Sequence, residues 1–569
     1  MKRTKKVISI LLIMSMLITA LTGCSGGEKE TVPNETEPKT EQTEQGKEEK
    51  GTEEVVSTNL NAGGEKPITK EVVTLEIGVP NHANVEDWDT NTMTLALEEY
   101  GYDLKFRTYP KDEYKTQINL AVAAGGGDLP DILLCNDGQF TDSDVYSWAQ
   151  AGALASLTEY YENSAYYLTE AIDRTGVDYY PQITSPDGNK YYVPRYNQSL
   201  TNEYPHKIWL FQPWLDKLGL KTPTTVPELR DVLYAFKTQD PNGNGKADEI
   251  PLISQRSTED KWFRALMTPF QYMQFGTYDV VNDGKVSVCY TTDDFRKGLT
   301  YIKGMFDDGL IDPMSFTADN TTVNALLNQE ETIIGMHVAY AMDTVNATDI
   351  RRTQYVGIPP LAREDGTVLT SYDPSKALVA GVISSSCKDP EAAFRLLDLM
   401  TSEEFSIMTR WGEEGVDWSG PAAGDESMYA SLGYGPVVKT IANIWGVPQN
   451  KHWFQTGPFI RQYSIALGAV WSGDELETGY QISKIQAAYT DNVPKEYISK
   501  LVYTAEEEGV VAQIEAELKT YVEESIAKFC MSNLDINDDS VWEKYLEQIE
   551  NIGLSEMLKI KQTVYDRMK

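Results

Sequence analysis

The segment Asp240-Pro241-Asn242-Gly243-Asn244-Gly245-Lys246-Ala247-Asp248-Glu249-Ile250-Pro251 sets hard oxygen donors at alternate positions. Counted from Asp240, side-chain oxygens fall at positions 1, 3, 5 and 9, and Gly245 takes position 6, where a sharp turn needs positive φ. Calcium takes about six to eight such oxygens at about 2.3–2.6 Å, and this alternation turns successive side chains inward. Lys246, at position 7, offers its backbone carbonyl. Position 12 is Pro251, where an EF-hand loop carries a bidentate Glu; Glu249, two residues earlier, supplies the missing carboxylate in a tighter loop. A metal-free Asn/Gly turn is the alternative. If calcium binds, its role is structural, because nothing nearby points to an activated water.

No other segment carries chemistry of that specificity. His82, His206, His337 and His452 are scattered, and no pair has zinc spacing. Cys24, Cys135, Cys289, Cys387 and Cys530 form no CxxC motif. The sequence has no GxSxG, HExxH, Walker A loop or complete GxGxxG. An enzyme is therefore disfavoured, although a glycosidase pair is defined by a carboxyl separation that a sequence does not display. Among the 569 residues, 86 Asp and Glu against 50 Lys and Arg give a net charge of -36. Such a surface repels phosphate backbones and argues against nucleic acid. It favours oxygen-liganded cations and neutral ligands that stack on aromatic rings, for which 11 Trp and 33 Tyr are at hand.

The elements that must position these groups begin after an address. Lys2, Arg3, Lys5 and Lys6 precede the apolar stretch 7–21, which is too short to span a bilayer and fits a secretory h-region. Leu21-Thr22-Gly23-Cys24 resembles a bacterial lipobox, so residues 1–23 are expected to be a signal peptide and Cys24 the lipidated N-terminus. Residues 24–70, rich in Glu, Lys, Thr, Gly and Pro, read as a disordered tether between the anchored lipid and the body.

From there strand and helix signals alternate. Residues 72–79 are β-branched and read as a strand, 90–100 as a helix, 104–109 as a strand, 111–124 as a helix and 132–134 as a short buried strand. This order predicts an α/β sheet, whose ligands bind beyond the carboxyl ends of its strands. Thr225 and Glu228 are spaced as a capping box before the apolar face Leu229, Val232, Leu233 and Phe236. Asp389-Pro390 opens a further helix, Val511, Ile514, Leu518 and Val522 form a helical stripe, and two shorter helices follow Asp539 and Gly553.

These pieces also carry a resemblance. "WLDKLGLKTPTTVPELRDVLYAFKTQDPNGNGKADEIPL" (Trp214 to Leu252) resembles the diagnostic stretch of extracellular solute-binding proteins, family 1, of carbohydrate ABC importers. It is most similar to their large lipoprotein subgroup, with LipO and the alginate-oligosaccharide-binding proteins. "YKTQINLAVAAGGGDLPDILL", "SPDGNKYYVPRY", "DPEAAFRLLDLMTSEEF", "RWGEEGVDW" and the terminal "IENIGLSEMLKIKQTVYDRM" agree with it over about residues 71–569. The resemblance implies two α/β lobes of the periplasmic-binding type, joined by several crossing segments and closing on sugar. One lobe would hold 71–195 plus about 377–410; the other would hold 196–376 plus about 411–569, with a helical C-terminal extension. It implies a structural calcium loop with ligands Asp240, Asn242, Asn244, Lys246, Asp248 and Glu249.

A sugar cleft needs planar polar groups for hydroxyls and aromatic rings for C–H faces. The loops at strand ends offer Asn81, Trp88, Asp89, Asn91, Asn136 and Asp137. The other half offers Trp209, Trp262, Trp411, Glu414 and Trp418, of which Trp411 and Trp418 lie in the segment that the resemblance places at the cleft. Each Trp is equally open to core packing. Arg195 follows an expected crossing and is either a ligand contact or a hinge salt bridge. The expected protein is a monomeric carbohydrate-binding lipoprotein on the outer face of a Gram-positive cell membrane, delivering an oligosaccharide to an ABC permease. A receptor for a membrane sensor kinase, or a carrier of another solute such as a peptide, are the alternatives.

Overall fold

The computed structural model describes residues 59–569, apart from positions 137, 257–260 and 533. The signal segment, Cys24 and most of the tether lie outside the described residues. Beyond them the chain builds a two-lobed α/β fold on two sheets.

The first sheet forms where sequence reading put it. β1 (Val73–Pro80) runs parallel to β2 (Tyr102–Tyr109) along its whole length, and β3 (Ile132–Leu134) lies on its other side. β4 (Tyr192–Asn197), β11 (Leu378–Ile383) and β14 (Phe459–Arg461) complete the order β14-β4-β11-β3-β1-β2. Only β11 runs against the others. Helix Pro390–Met400 covers this sheet with Phe394, Leu396, Leu397 and Met400 fully buried. Its Asp398 carboxylate accepts the N–H groups of Tyr166, Tyr167 and Leu168, which opens helix Tyr167–Thr175 on a buried anion.

In the second lobe β5 (Lys207–Phe211), β6 (Ile250–Leu252), β9 (Ile334–Ala339) and β10 (Tyr355–Gly357) are ordered β10-β5-β9-β6. A hairpin of β7 (Asp279–Asn282) and β8 (Lys285–Val288) lies beside them. The Thr225–Glu228 capping box opens helix Val226–Thr238, and Leu229, Val232, Leu233 and Phe236 face the core as the spacing predicts. Helix Ala505–Met531 turns Val511, Ile514, Leu518 and Val522 into the same core. The two shorter helices, Asp539–Ile552 and Leu554–Arg567, close the chain over it. The short ribbon of β12 (Trp418–Ser419) and β13 (Lys439–Thr440) follows the first core's last long helix.

Two boundaries differ from expectation. Residues 59–70 are not a free tether: Ile68 is buried, its N–H bonds Tyr100 O, and Arg395 holds the carbonyls of Asn61 and Ala62. A tight turn that satisfies its own backbone needs no aromatic residue to dock. Nor does all of 411–569 belong with the second lobe, because β14 pairs with β4 inside the first sheet. A three-residue strand leaves no alternation to read in a sequence.

The lobes are joined where the chain leaves β4, where it enters β11 and where it leaves β14. Glu203 ties these three passages together. The Ser375 hydroxyl lies 2.6 Å from its Oε1, the Tyr463 hydroxyl 2.5 Å from its Oε2, and the Asp373 N–H donates to its carbonyl. Burial pushes the Glu203 carboxyl up from its ordinary value, and the two hydroxyls work against that shift. Lys500 adds a further link, donating to Asp142, to the Tyr192 hydroxyl and to Ala377 O.

Candidate functional site

Five strands of the first sheet end on one edge, and all three crossings leave or enter at that edge. The second lobe must therefore stand over the carboxyl ends of the first, and the groove between them is the topological ligand position. From the second lobe the start of β5 and the carboxyl ends of β6, β9 and β10 point back toward it, since β5 runs against β9 and β10.

The first-lobe edge is built by a loop that comes from late in the chain. Gly457 N–H bonds Cys135 O, and Thr456 donates to Asn136 Oδ1, so residues 452–457 are tied to the end of β3. His452 Nδ1 accepts the Phe454 N–H at 3.0 Å. Phe454 and Gln455 are consecutive non-glycine residues with φ of 50 and 58, each costing about 1–2 kcal/mol of backbone strain. The contacts around them hold that strain, which is a mark of functional loops. The outcome is a stack: the Phe454 ring lies 4.3 Å from His82 at the end of β1 and 4.2 Å from Trp445, nearly parallel to it at 11°.

Guanidinium groups continue the stack. Arg410 lies over Trp445 at 4.4 Å and over Trp411 at 5.3 Å. Arg461, at the end of β14, lies over Trp411 at 5.2 Å and over Phe459 at 4.8 Å. Arg195 faces the same Phe459 ring at 5.9 Å. Each cation-over-ring contact is worth about 0.5–2 kcal/mol, so the series stiffens this edge. Burial, then the Arg410 charge, hold His452 down to about 4, and burial, then Lys111, lower His82. From the second lobe, Phe275 packs against both His206 and Tyr340.

The sequence candidates separate into three groups. Trp411, Arg195 and Asn136 are in this edge, and Asn81 is exposed beside His82. Trp88, Trp209 and Trp262 are core residues. Trp209 and Trp262 are 1% and 2% exposed, their indole N–H groups donating to Ala339 O and Ser315 O, while Trp88 packs on Phe106 and Trp453. Asn91 is a buried N-cap that also reaches Asn450 and His452 O, so it is a structural tie. Trp418 is buried against Ile407, Val438 and Ile465 with its N–H on Gly412 O. Asp89 and Glu414 are exposed in turns, and Asp137 lies outside the described residues. His82, Arg410, Trp445, Phe454, Phe459, Arg461, Phe275 and Tyr340 were not singled out for the cleft. The one sequence signal was the aromatic density of 452–461 (His-Trp-Phe-Gln-Thr-Gly-Pro-Phe-Ile-Arg).

The oxygen-rich loop joins helix Val226–Thr238 to β6. Asp240 has φ 47, and its two carboxylate oxygens accept the N–H groups of Gly243 and Gly245. Asn242 Oδ1 accepts from Asn244 N–H and Asn244 Oδ1 from Lys246 N–H. Both carboxamide nitrogens donate to Asp248, and those bonds lower its carboxyl. Glu249 Oε1 is buried without a partner, and burial raises that carboxyl. An orphaned carboxylate oxygen in a loop rich in Asp and Asn oxygens fits a hard cation. Among the described residues no three His, Cys, Asp or Glu groups are placed as a metal cluster.

Comparison with known proteins matches this architecture. The profile described as "Bacterial extracellular solute-binding protein" matches residues 83–405. The fructooligosaccharide ABC transporter substrate-binding protein FusA of Streptococcus pneumoniae is 28% identical over 486 residues, 83% of this chain and 85% of that one. The lipoprotein LipO of Bacillus subtilis is 28% identical over 265 residues, 45% of this chain and 47% of that one. FusA has been solved in complex with kestose, at 25% identity over 87% of this chain and 99% of that one, with a TM-score of 0.65. An EF-hand mutant of FusA bound to fructo-nystose gives a TM-score of 0.64 at 24% identity, covering 87% and 99%. An HMO-binding, ABC-transporter-associated solute-binding protein of Bifidobacterium longum infantis shares the fold, with a TM-score of 0.70 at 19% identity over 87% and 98%.

Proposed function

The chain belongs to the bacterial extracellular solute-binding proteins, and from that premise we propose that it captures an oligosaccharide for an ABC importer. The observation that carries this reading is the stacked edge His82–Phe454–Trp445–Arg410–Trp411–Arg461 beneath the three crossings. The rings cover one another's faces, so the stack would meet sugar C–H groups along its exposed rim, and guanidinium edges donate to hydroxyls. The similarity to FusA over most of both chains supports a saccharide as the solute. The lobes close by bending at the crossings, and the sugar stabilises the closed form by touching both edges. Asn81, Asn136 and Arg195 supply polar contacts from the first lobe, and Phe275 and Tyr340 a platform from the second. The chain performs no covalent chemistry on its ligand; transport energy comes from other subunits.

Cys24, lipidated, would hold the body at the outer membrane face as a monomer. Asp240, Asn242, Asn244, Asp248 and Glu249, with the Lys246 carbonyl, would hold calcium. The ion would fix the turn from helix Val226–Thr238 into β6, the strand whose end reaches the groove.

The test is thermal unfolding of the mature chain from Cys24 onward with neutral oligosaccharides, peptides and buffer alone. A ligand at about 100 times its dissociation constant stabilises the native state by about 2.7 kcal/mol. A saccharide-specific rise in Tm, with the saccharide recovered intact, is the expected result. A rise with peptides alone, or cleavage of the saccharide, would remove the reading.

A further inference from the structure

The three crossings meet at one buried acid. Glu203 is 2% exposed, and its two carboxyl oxygens meet hydroxyls rather than a cation. Ser375 Oγ lies 2.6 Å from Oε1 and Tyr463 Oη 2.5 Å from Oε2. The Ser375 hydroxyl also stands 2.9 Å from the backbone carbonyl of Asn197, the last residue of β4. Asn197, Ser375 and Tyr463 lie on the passages out of β4, into β11 and out of β14.

The groups that face Glu203 give it no counter-charge. Tyr196, Tyr204, Tyr372, Tyr434 and Tyr463 have their hydroxyls raised by burial, so all are uncharged at neutral pH. The Asp373 carboxylate adds a negative charge that opposes a second anion beside it. The nearby cations are engaged elsewhere: Lys376 pairs with Asp373 at 2.7 Å, Arg461 donates to the Asn197 carboxamide, and Lys207 donates to Tyr204 O.

Ser375 has one proton and two acceptors. With Glu203 ionised, that proton serves either the carboxylate or Asn197 O, and the other two oxygens touch with no hydrogen between them. With Glu203 neutral, every contact has its hydrogen. Tyr463 donates to Oε2, Oε1–H donates to Ser375 Oγ, and Ser375 donates to Asn197 O. Donation by both hydroxyls would favour the anion; the second contact of Ser375 tells against it.

We propose that Glu203 holds a proton at neutral pH and that this proton fastens the three crossings to one another. The hinge is then pH-sensitive. Ionisation sends the proton to water, leaves a buried anion beside Asp373 and breaks one of the two Ser375 contacts. The crossings loosen, and the lobes bend more freely. The nature of the solute does not enter, so the inference stands apart from the saccharide reading.

The experiment compares the mature chain with Glu203→Gln, whose amide donates and accepts where the neutral acid does. Infrared difference spectra should show a neutral-carboxyl C=O band in the wild type at pH 7. The band should be missing in the variant and should fade as pH rises. Urea midpoints give an independent sign. A carboxyl raised by folding contributes stability that is present below its ordinary value of 4.5 and lost as pH rises through the folded one. The variant should therefore gain on the wild type as pH rises above 4.5. Amide exchange at 197–203, 373–377 and 461–463, relative to intrinsic rates, should rise several-fold at alkaline pH in the wild type alone. If Glu203→Gln does not fold, Ser375→Ala decides. Removing the acid's acceptor should make the band fade at lower pH, whereas removing a donor to the anion would move it higher. Four results would overturn the inference: no neutral-carboxyl band from Glu203, a variant less stable by the same margin at every pH, equal exchange in both proteins, or a Ser375→Ala shift to higher pH.

Discussion

The loop at 240–249 and the edge that joins His82 to Arg461 are assembled in opposite ways. The loop draws all its donors from ten consecutive residues, and its hydrogen bonds run between neighbours. The edge draws on the ends of β1, β4 and β14, on helix Glu403–Trp411 and on Trp445 and the loop 452–457. A local site is fixed by spacing and survives changes elsewhere. A distributed site exists only when the sheet order is right. The two should therefore fail under different insults.

Acid gives the largest separation. His452 is held near 4, whereas an unfolded histidine takes its proton near 6.5. Between those values the unfolded chain binds more protons than the folded one, so stability present above pH 6.5 is lost as pH falls toward 4. The loss attributable to His452 is about 3 kcal/mol. Urea midpoints measured from pH 7 to pH 4 should slope, and His452→Gln should flatten that slope. An unchanged slope in the variant would assign the acid sensitivity to another part of the molecule.

Chelation should strike the other region. With calcium at about 100 times its dissociation constant, its removal lowers stability by about 2.7 kcal/mol. Scanning calorimetry in calcium and in EDTA should show the difference, and Asp240→Ala should abolish it. If EDTA leaves the wild-type Tm unchanged, the loop is a metal-free Asn/Gly turn.

The smallest effect is at the centre of the stack. Phe454→Ala removes the ring between His82 and Trp445, and an aromatic pair is worth about 0.5–1.5 kcal/mol beyond burial. Saccharide affinity should fall by about tenfold at most, with little change in Tm, because alanine keeps the backbone and the half-buried ring adds little to the core. A drop in Tm of many degrees would make Phe454 a structural residue.

What could be read ahead follows the same division. Thr225 and Glu228 announced their helix because a capping box acts over three residues, and Val511, Ile514, Leu518 and Val522 announced theirs through one turn-by-turn stripe. The oxygen donors of the loop were legible for the same reason. Trp209 and Trp262 were not assignable, because whether an indole faces core or cleft depends on which strands flank it. Asn91 looked like a strand-end ligand and is a cap for its own helix, bonded to a segment some 360 positions away. Arg410 stood directly before the quoted Trp411, yet its place over the Trp445 ring is a fact of three dimensions only.

The position of β14 has a consequence for how the protein is made. An edge strand of the first lobe is residues 459–461, supplied after every strand of the second lobe's sheet. A chain emerging N-terminus first must present β4 as an open sheet edge until that late segment arrives, and open edges recruit other chains. Pro194, which has no N–H to offer a stray strand, sits in the middle of β4. Any product cut short before residue 459 would keep its first helices and lose Arg461, leaving an unfinished sheet that is sticky and blind to its ligand.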